Sequence, residues 1–286
     1  MVVSDEAGGA LVAWEDERNG SHEIYAQRVI PSGQLASGWP ENGMRIAADR
    51  MIRGLTPDGS GGAYLSCATW GHLDAGYFLQ RFTGAGVIAP GWPEGGAVVC
   101  AAPGDRGGLR MVRAADGVLL AWYDYRDSPY GDIFVQRMQP DGARYPGWPV
   151  DGLRSAENPG YDSNPDLASD GMGGAYICWH TSGARVGVQH LTGAAVVAPG
   201  WTARGLEIPG SERSYYPRIA DDGSGGAIAV WGSEYAPPRA LRFVTDGPVP
   251  AQVSLVRAEA YPDRVSLTWH ATDGASLRAA VERRAE

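Results

Sequence analysis

Two short loops carry an aspartate and an arginine at the same spacing, first as Asp16 and Arg18 and again as Asp124 and Arg126. A guanidinium group is a planar fork of N–H donors that suits carboxylates and sugar hydroxyl groups. An aromatic side chain in a loop, such as Trp70, offers a flat face on which a sugar ring can stack. We therefore predict a ligand-binding site at Asp16, Arg18, Trp70, Asp124 and Arg126. The alternative is that each aspartate accepts N–H bonds in its own turn and pairs with the nearby arginine.

The same loops could supply a pair of acids for glycoside cleavage, which needs two carboxyl groups about 5–10 Å apart. The candidates are Glu15, Asp16, Asp74, Asp124 and Glu234. The five histidines have no serine or cysteine elbow beside them, and the chain lacks Gly-x-Ser-x-Gly, His-Glu-x-x-His and phosphate-loop motifs. We therefore assign no catalytic residue and favour a non-enzyme over an enzyme.

Metal and cofactor motifs are missing as well. Asp-Gly turns such as Asp58-Gly59 and Asp222-Gly223 lack the Asp-x-Asp-x-Asp spacing that gathers six or more oxygens around calcium. The three cysteines are odd in number and follow no paired spacing. We expect no metal site and no cofactor.

A repeat with a period of 52 to 57 residues organises the chain. Its anchor is the small residue that opens an apolar run, and the anchors are Ala10, Ala63, Val118, Ala175 and Ala227. Four positions after each anchor stands a tryptophan or a cysteine, and a Gln-Arg pair and a Gly-Trp pair follow in most copies. Repeats of this kind indicate propellers, solenoids or arrays.

Each copy has the pattern of β-strands separated by turns. In the fourth copy we predict strands at 165–169, 175–179, 186–191 and 206–208, with a glycine-rich reversal at 170–174. The second strands are apolar on both alternating faces, as in a sheet that is covered on both sides. No segment places apolar residues at helical spacing. We therefore predict an all-β fold, a β-propeller of about five four-stranded blades with a short, partial β-sandwich-like tail.

We assign residues 1–250 to the propeller and 251–286 to the tail. The propeller units are about 1–52, 53–106, 107–160, 161–212 and 213–250. About 35 residues cannot bury a sandwich core alone. The tail is therefore either the start of a partial domain or a strand that closes the fifth blade, followed by further residues.

The net charge of −9 argues against nucleic acid and anionic membrane surfaces as partners. Every basic residue is an arginine, and we interpret this as coding bias because the arginines are interleaved with acids along the chain. No apolar run approaches the roughly 18 residues of a membrane span, so we expect no membrane insertion. The chain begins without a signal peptide and within a first strand, which favours a piece of a larger multidomain chain.

The run Asp-Gly-Ser-Gly-Gly-Ala-Ile-Ala-Val-Trp at 222–231 resembles the propeller repeats of large secreted or surface proteins of bacteria. The segment 122–137 resembles them too, and the resemblance covers about residues 1–247. The runs 266–269 and 281–284 resemble the opening strands of a fibronectin type III domain. These resemblances imply an extracellular or cell-surface protein.

From these observations we predict a non-catalytic binding or scaffolding module whose ligand is a glycan or a protein. The alternative is a carbohydrate-active enzyme of glycosidase, lyase or sialidase type, with acids on the axial loop face. A purely structural spacer is the third interpretation.

Overall fold

The structure is a computed structural model that describes the backbone of residues 1–70, 76–157, 160–209, 211–233, 236–244, 247–260, 264–271 and 276–282. Side chains are described for residues 1–70, 76–157, 160–209, 211–232 and 238–243. The regular elements of this part of the chain are all β-strands, and it holds no helix long and apolar enough to cross a membrane. The chain divides into two compact units, Met1–Arg154 and Ser155–Glu286.

The first unit contains three antiparallel four-stranded sheets. Sheet 1 holds β1 (Val2–Ser4), β2 (Ala10–Asp16), β3 (Glu23–Val29) and β4 (Met44–Ala48). Sheet 2 holds β5 (Arg50–Pro57), β6 (Ala63–Thr69), β7 (Tyr77–Phe82) and β8 (Ala97–Cys100). Sheet 3 holds β9 (Arg106–Ala114), β10 (Gly117–Asp124), β11 (Asp132–Met138) and β12 (Leu153–Arg154). In each sheet the strands lie side by side in chain order.

Sheet 2 shows why the second strands are apolar on both faces. In β6, Leu65 and Cys67 belong to a buried cluster shared with sheet 1, whereas Tyr64 and Ala68 belong to another cluster shared with sheet 3. Successive side chains of a strand point to opposite faces. Sheet 2 is therefore packed on both sides, as the sequence predicts.

The second unit contains two antiparallel sheets. Sheet 4 holds β13 (Ser163–Ser169), β14 (Ala175–Thr181), β15 (Arg185–Leu191) and β16 (Leu206–Glu207). Sheet 5 holds β17 (Ser214–Asp221), β18 (Ala227–Ser233), β19 (Ala236–Val244), β20 (Gly247–Ala260), β21 (Arg264–Ala271) and β22 (Ser276–Glu282). A buried cluster that includes Tyr176, Trp201 and Trp231 joins these two sheets.

The tail continues sheet 5, because β20 pairs with β19 through Val253 and Ala240. The pair Pro262-Asp263 predicts a turn between β20 and β21, but it lies outside the described residues. The number of blades and the division at residue 250 stay predictions. The fold class itself is confirmed: the described chain is all-β, built of four antiparallel sheets of four strands and one of six.

The repeated Asp-Gly turns close the hairpins between first and second strands. In sheet 2, Asp58 Oδ1 accepts N–H bonds from Ser60 (2.8 Å) and Gly62 (2.9 Å), and its Oδ2 accepts one from Arg81 Nε at 3.0 Å. A Cβ atom at Gly62 would lie 2.2 Å from the carbonyl oxygen of Phe82, so this position has no room for a side chain. The Asp-Gly turn and the Gln-Arg pair of the repeat are thus joined by the hydrogen bond between the aspartate and the arginine.

The first strand of each of four sheets carries an irregularity in register opposite the end of the second strand. In sheet 4 it falls between Ser163 and Asp166, and in sheet 5 between Tyr215 and Arg218. Sheet 3 has one opposite Trp122, and in sheet 2 Arg53 is the extra residue. Bulges bend a strand and re-aim its side chains, and they are enriched next to active sites.

Candidate functional site

In the second unit, a histidine near the end of one strand lies close to two tyrosines and a serine. His180 lies near the end of β14 and is the register partner of Ser163 in β13. The ring centroids of His180 and Tyr215 are 5.3 Å apart, and those of His180 and Tyr161 are 6.3 Å apart. Ser163 Oγ lies 3.5 Å from His180 Nδ1. We call these four residues, together with Asn164 and Tyr216, the His180 cluster.

The chain positions each member of the cluster locally. Tyr161 is held by its N–H, which donates to Ser182 Oγ at 2.7 Å. Tyr215 belongs to β17, which packs beside β13 and β14 in the same unit. The tyrosine rings remain accessible, with Tyr161 42% and Tyr215 49% exposed.

His180 itself is half-buried, and burial lowers the pKa of its imidazole because the desolvated ring resists taking a positive charge. The ring is therefore neutral at neutral pH. Its Nε2 is buried and has no hydrogen-bond partner among the residues that the structure describes. A buried nitrogen without a partner is rare in native proteins, and catalytic groups are among the exceptions.

Two residues of the cluster stand at the bulges in an unusual backbone conformation. Asn164 and Tyr216 have φ values of 50° and 51°, in the left-handed region. Asparagine tolerates this region, whereas a bulky residue such as tyrosine is a true outlier there. Tyr216 is also 69% exposed. Strain at an exposed aromatic residue that follows Tyr215 directly in the chain points to a functional surface.

The cluster has the side chains that proton transfer requires. A neutral imidazole can take a proton, and a tyrosine hydroxyl can donate one. The exposed rings of Tyr161, Tyr215 and Tyr216 offer flat faces for a sugar ring. The amide of Asn164, whose Nδ2 lies 3.3 Å from Ser163 Oγ, adds a polar group that can bind a substrate oxygen.

The predicted residues Asp16 and Arg18 lie at the end of β2 and are bound to each other. Asp16 accepts the backbone N–H of Arg18 at 2.8 Å and its Nε–H at 2.8 Å. These hydrogen bonds from Arg18 hold the pKa of Asp16 far below its ordinary value. Arg18 also lies over the ring of Tyr25, 4.0 Å from its centroid.

Asp124 and Arg126 repeat this arrangement at the end of β10, but inside the protein. Asp124 is 0% exposed and accepts N–H bonds from Trp122 Nε1 (3.0 Å) and Arg126 Nη2 (2.5 Å). Burial alone would raise the pKa of Asp124, but the bonds from Arg126 and Trp122 hold it below its ordinary value. Its register partner Asp132 is also buried, and there burial raises the pKa.

Trp70 follows β6 and is 39% exposed. Its ring stacks on that of His22, with centroids 3.2 Å apart. No contact between Trp70 and either Asp-Arg pair is found in the described structure. Ligand binding by these five residues stays a prediction.

The other candidate acids do not form a described pair. Glu15 accepts the N–H of Ile52 through Oε1 at 2.7 Å. Asp74 and Glu234, like His72 and Tyr235, lie outside the described residues. Within the described residues there is no group of three or more His, Cys, Asp and Glu side chains placed to hold a metal ion.

The His180 cluster is what the sequence analysis missed. His180 occupies the position five residues after the anchor, where the other copies have Glu15, Ala68, Tyr123 and Gly232. The type of residue at this position differs between copies, and only the fourth copy has a histidine. That difference is the signal in the sequence that could have identified His180. The bulge next to Tyr215 depends on strand register, which the repeat does not reveal.

Comparison with known proteins supports the fold. No protein-family model matches the sequence, and no curated protein sequence matches it. Among solved structures, the polysaccharide lyase Uly1 is similar with a TM-score of 0.52 and 9% identity, over 99% of this chain and 76% of that one. An α-L-arabinanase of Penicillium chrysogenum has a TM-score of 0.48 and 11% identity, over 96% and 90%. The six-bladed β-propeller lectin of Aleuria aurantia has a TM-score of 0.44 and 11% identity, over 96% and 88%.

These findings correct two predictions. The expectation of a non-catalytic binding or scaffolding module, and the preference for a non-enzyme, are contradicted because most of the similar structures are glycoside hydrolases or a polysaccharide lyase. The physical reason for the error is that a repeat fold holds its reactive groups at strand ends, without a local motif. At such low identity the similarity shows the fold, and the chemistry has to be argued from the side chains.

Proposed function

We propose that this protein is a carbohydrate-active enzyme that cleaves a uronate-containing polysaccharide by β-elimination at the His180 cluster. The observation that carries the proposal is the neutral, partly buried imidazole of His180, with an unpaired Nε2, beside two half-exposed tyrosines. This chemistry needs one base and one acid, and no metal or redox group.

The reaction follows from these groups. The imidazole of His180 turns so that its buried Nε2 reaches the surface, and Nε2 then takes the proton from the sugar carbon next to the uronate carboxylate. The electron pair of that C–H bond forms a carbon–carbon double bond, and the bond from the neighbouring carbon to the glycosidic oxygen breaks. The leaving oxygen takes a proton from the hydroxyl of Tyr215, whose ring lies closest to His180. The products are an unsaturated uronate and a new reducing end.

Elimination fits the described side chains better than hydrolysis. Hydrolysis by two carboxylates uses one acid with a raised pKa and another that stays ionised. The pKa values of Asp16 and Asp124 are both lowered. Asp132 has a raised pKa, but its Oδ1 is paired with Arg154 Nη2 at 2.7 Å.

The wider setting is part of the proposal. We propose that the protein acts outside the cell, as a bacterial propeller protein with a fibronectin type III-like tail and as part of a larger chain. A glycan is the ligand. The repeat signature at 222–231 supports the family, and the similarity to enzymes and lectins that act on glycans agrees with the setting.

The test uses the purified chain and a panel of uronate-containing and neutral polysaccharides. Two products are followed together, the ultraviolet absorbance of the unsaturated uronate and the number of new reducing ends. We expect both to rise in step on at least one uronate polymer. Removing a general base costs about 10²–10⁴-fold in rate, so His180→Ala should lose activity by that factor.

Controls separate catalysis from folding. Added imidazole should partly restore the His180→Ala variant, which an unfolded protein would not show. Tyr215→Phe should also lose activity, whereas Tyr130→Phe, at an exposed tyrosine of the first unit, should not. New reducing ends without absorbance would mean hydrolysis and would overturn β-elimination. If neither product forms on any polysaccharide of the panel, the proposed activity is wrong.

A further inference from the structure

Trp70 is the only tryptophan at its position in the repeat. It stands seven residues after the anchor Ala63, and at that position the other copies have Glu17, Tyr125, Ser182 and Glu234. The packing of the repeat therefore does not require a tryptophan here. The side chain is 39% exposed, so much of its large apolar surface contributes nothing to the core. A tryptophan that neither the repeat nor the core needs points to another role.

The indole of Trp70 is stacked on the imidazole of His22. Their ring centroids are 3.2 Å apart, and the ring planes are inclined by 25°. His22 lies between β2 and β3 of sheet 1, whereas Trp70 follows β6 of sheet 2, so two sheets contribute to the pair. Because His22 covers one face of the indole, the exposed area of Trp70 belongs to the other face and the edges. We call these two stacked rings the Trp70 platform.

One residue between the two sheets holds both members of the platform through the backbone. Asp49, between β4 and β5, donates its N–H to the carbonyl oxygen of His22 at 2.6 Å. Its own carbonyl oxygen accepts the N–H of Trp70 at 3.1 Å. Asp49 has a φ of 54°, in the left-handed region that aspartate tolerates better than most residues. The platform is therefore formed before any ligand arrives, which lowers the entropic cost of binding.

Charged groups of both signs adjoin the platform. His22 Nδ1 lies 3.0 Å from Glu17 Oε1, and the side chain of Glu17 is 67% exposed. Arg50 donates an Nη1–H to the Asp49 carbonyl oxygen, the same atom that accepts the Trp70 N–H. Carboxylates accept hydrogen bonds and guanidinium groups donate them. A neutral ligand with hydroxyl groups, which do both, suits these surroundings better than an ion of either sign.

We propose that the Trp70 platform binds a neutral sugar ring of a polysaccharide. The apolar face of the sugar stacks on the exposed face of the indole, and Glu17 accepts hydrogen bonds from its hydroxyl groups. The platform belongs to the first unit and His180 to the second, so the residues of this site are separate from those of the His180 cluster. The choice of a saccharide among neutral hydroxylated ligands rests on the proposed function.

Binding is measured by isothermal titration calorimetry on the full chain. The probes are neutral linear hexasaccharides of glucose, xylose, mannose, galactose and arabinose, each titrated alone. Sorbitol, which has hydroxyl groups but no ring, is the matched control ligand. We expect at least one hexasaccharide to bind and sorbitol not to bind. If no hexasaccharide binds, the proposed site is wrong.

Substitutions of Trp70 test where the hexasaccharide binds. Loss of a tryptophan that anchors a ligand weakens binding about tenfold to hundredfold, so we expect a loss of that size in Trp70→Ala. Trp70→Phe keeps a smaller flat ring and should lie between the parent and Trp70→Ala. Tyr130→Ala removes another exposed aromatic ring of the first unit and should bind like the parent.

Substitutions of Glu17 test the polar part of the site. Glu17→Gln keeps an acceptor oxygen but loses the charge that strengthens its hydrogen bonds, so it should bind more weakly than the parent. Glu17→Ala removes the acceptor and should bind more weakly still. Glu94→Gln, at an exposed acid between β7 and β8, is the matched control and should bind like the parent. Equal affinity of Glu17→Ala and Glu94→Gln would overturn the role of Glu17.

Thermal unfolding shows whether each variant is folded, because Trp70 also joins two sheets. If Trp70→Ala is unfolded, Trp70→Phe gives the same comparison with the ring stack kept. Equal affinity of the Trp70 variants and Tyr130→Ala would overturn the platform. Its failure is distinguishable from that of the proposed function. Binding that is lost in Trp70→Ala supports the platform even if the parent cleaves no uronate polymer, and cleavage through His180 stands if Trp70→Ala binds like the parent.

Discussion

One position of the repeat holds a different type of residue in each of the five copies. It lies directly after the tryptophan or cysteine near the end of each second strand. His180 occupies it in sheet 4, while Glu15 in sheet 1 serves a structural bond to Ile52. The equivalent Tyr123 packs against Tyr125, with ring centroids 5.7 Å apart. The repeat fixes where this position lies in each sheet, and the type of residue there determines whether it serves structure or chemistry.

The pKa of His180 gives a prediction about pH. Burial lowers that pKa below its ordinary value, which is about 6.5 for histidine. A general base works in its neutral form, so a lowered pKa extends activity to more acidic solutions. We expect kcat/KM on a uronate polymer to be constant above about pH 6.5 and to fall only below it. A pH–rate profile measures this directly.

The Tyr215→Phe variant provides the control for this profile. It removes the acid and leaves the base, so its rate should be lower while its acidic limb stays at the same pH. An acidic limb with its midpoint above about pH 6.5 would contradict the role of a buried His180.

At the scale of strands, local pattern predicts the elements closely. The predicted strands 175–179 and 186–191 correspond to Ala175–Thr181 and Arg185–Leu191. Apolar alternation and the packed Asp-Gly turns are local properties, and both are visible in sequence. The bulges are not, because the extra residue at Asn164 or Tyr216 is defined only by its pairing with another strand. The candidate site depends on those bulges and was therefore missed.

The bulge at Tyr216 predicts opposite effects on stability and activity. A left-handed conformation costs a non-glycine residue about 1–2 kcal/mol, and glycine is free of this strain. The side chain is exposed, so removing it leaves no cavity. We expect Tyr216→Gly to raise the free energy of unfolding by up to about 1 kcal/mol, since glycine's greater unfolded-state entropy offsets part of the gain.

The same substitution should weaken the enzyme, since it removes an exposed aromatic face that follows Tyr215 directly in the chain. We expect KM to rise on the substrate polymer, and steady-state kinetics alongside urea unfolding measure both effects. A Tyr216→Phe variant keeps the ring and the strain, and it should behave like the parent. If Tyr216→Gly is both less stable and fully active, the bulge is structural and has no part in the site.

At the scale of the whole molecule, the net charge differs from the charge of individual strands. A net charge of −9 suggests a protein that repels anions, yet β5 and β9 contain five arginines and no acid. Net charge acts at long range, whereas a bound anion senses the groups within a few ångströms. Net charge alone therefore does not exclude an acidic ligand.

These two ranges of interaction predict how salt affects binding of an acidic oligosaccharide. The Debye length falls from about 30 Å at 0.01 M to about 10 Å at 0.1 M ionic strength, so added salt first screens the repulsion between the negative protein and the ligand. We expect the association rate constant to rise over this range, in contrast to the fall seen when opposite charges steer association. The dissociation rate constant should rise as well, because salt weakens ionic contacts between the protein and the bound oligosaccharide. Stopped-flow measurements with an oligogalacturonate give both constants, and an association rate that falls with salt would mean that local arginines, rather than net charge, govern the encounter.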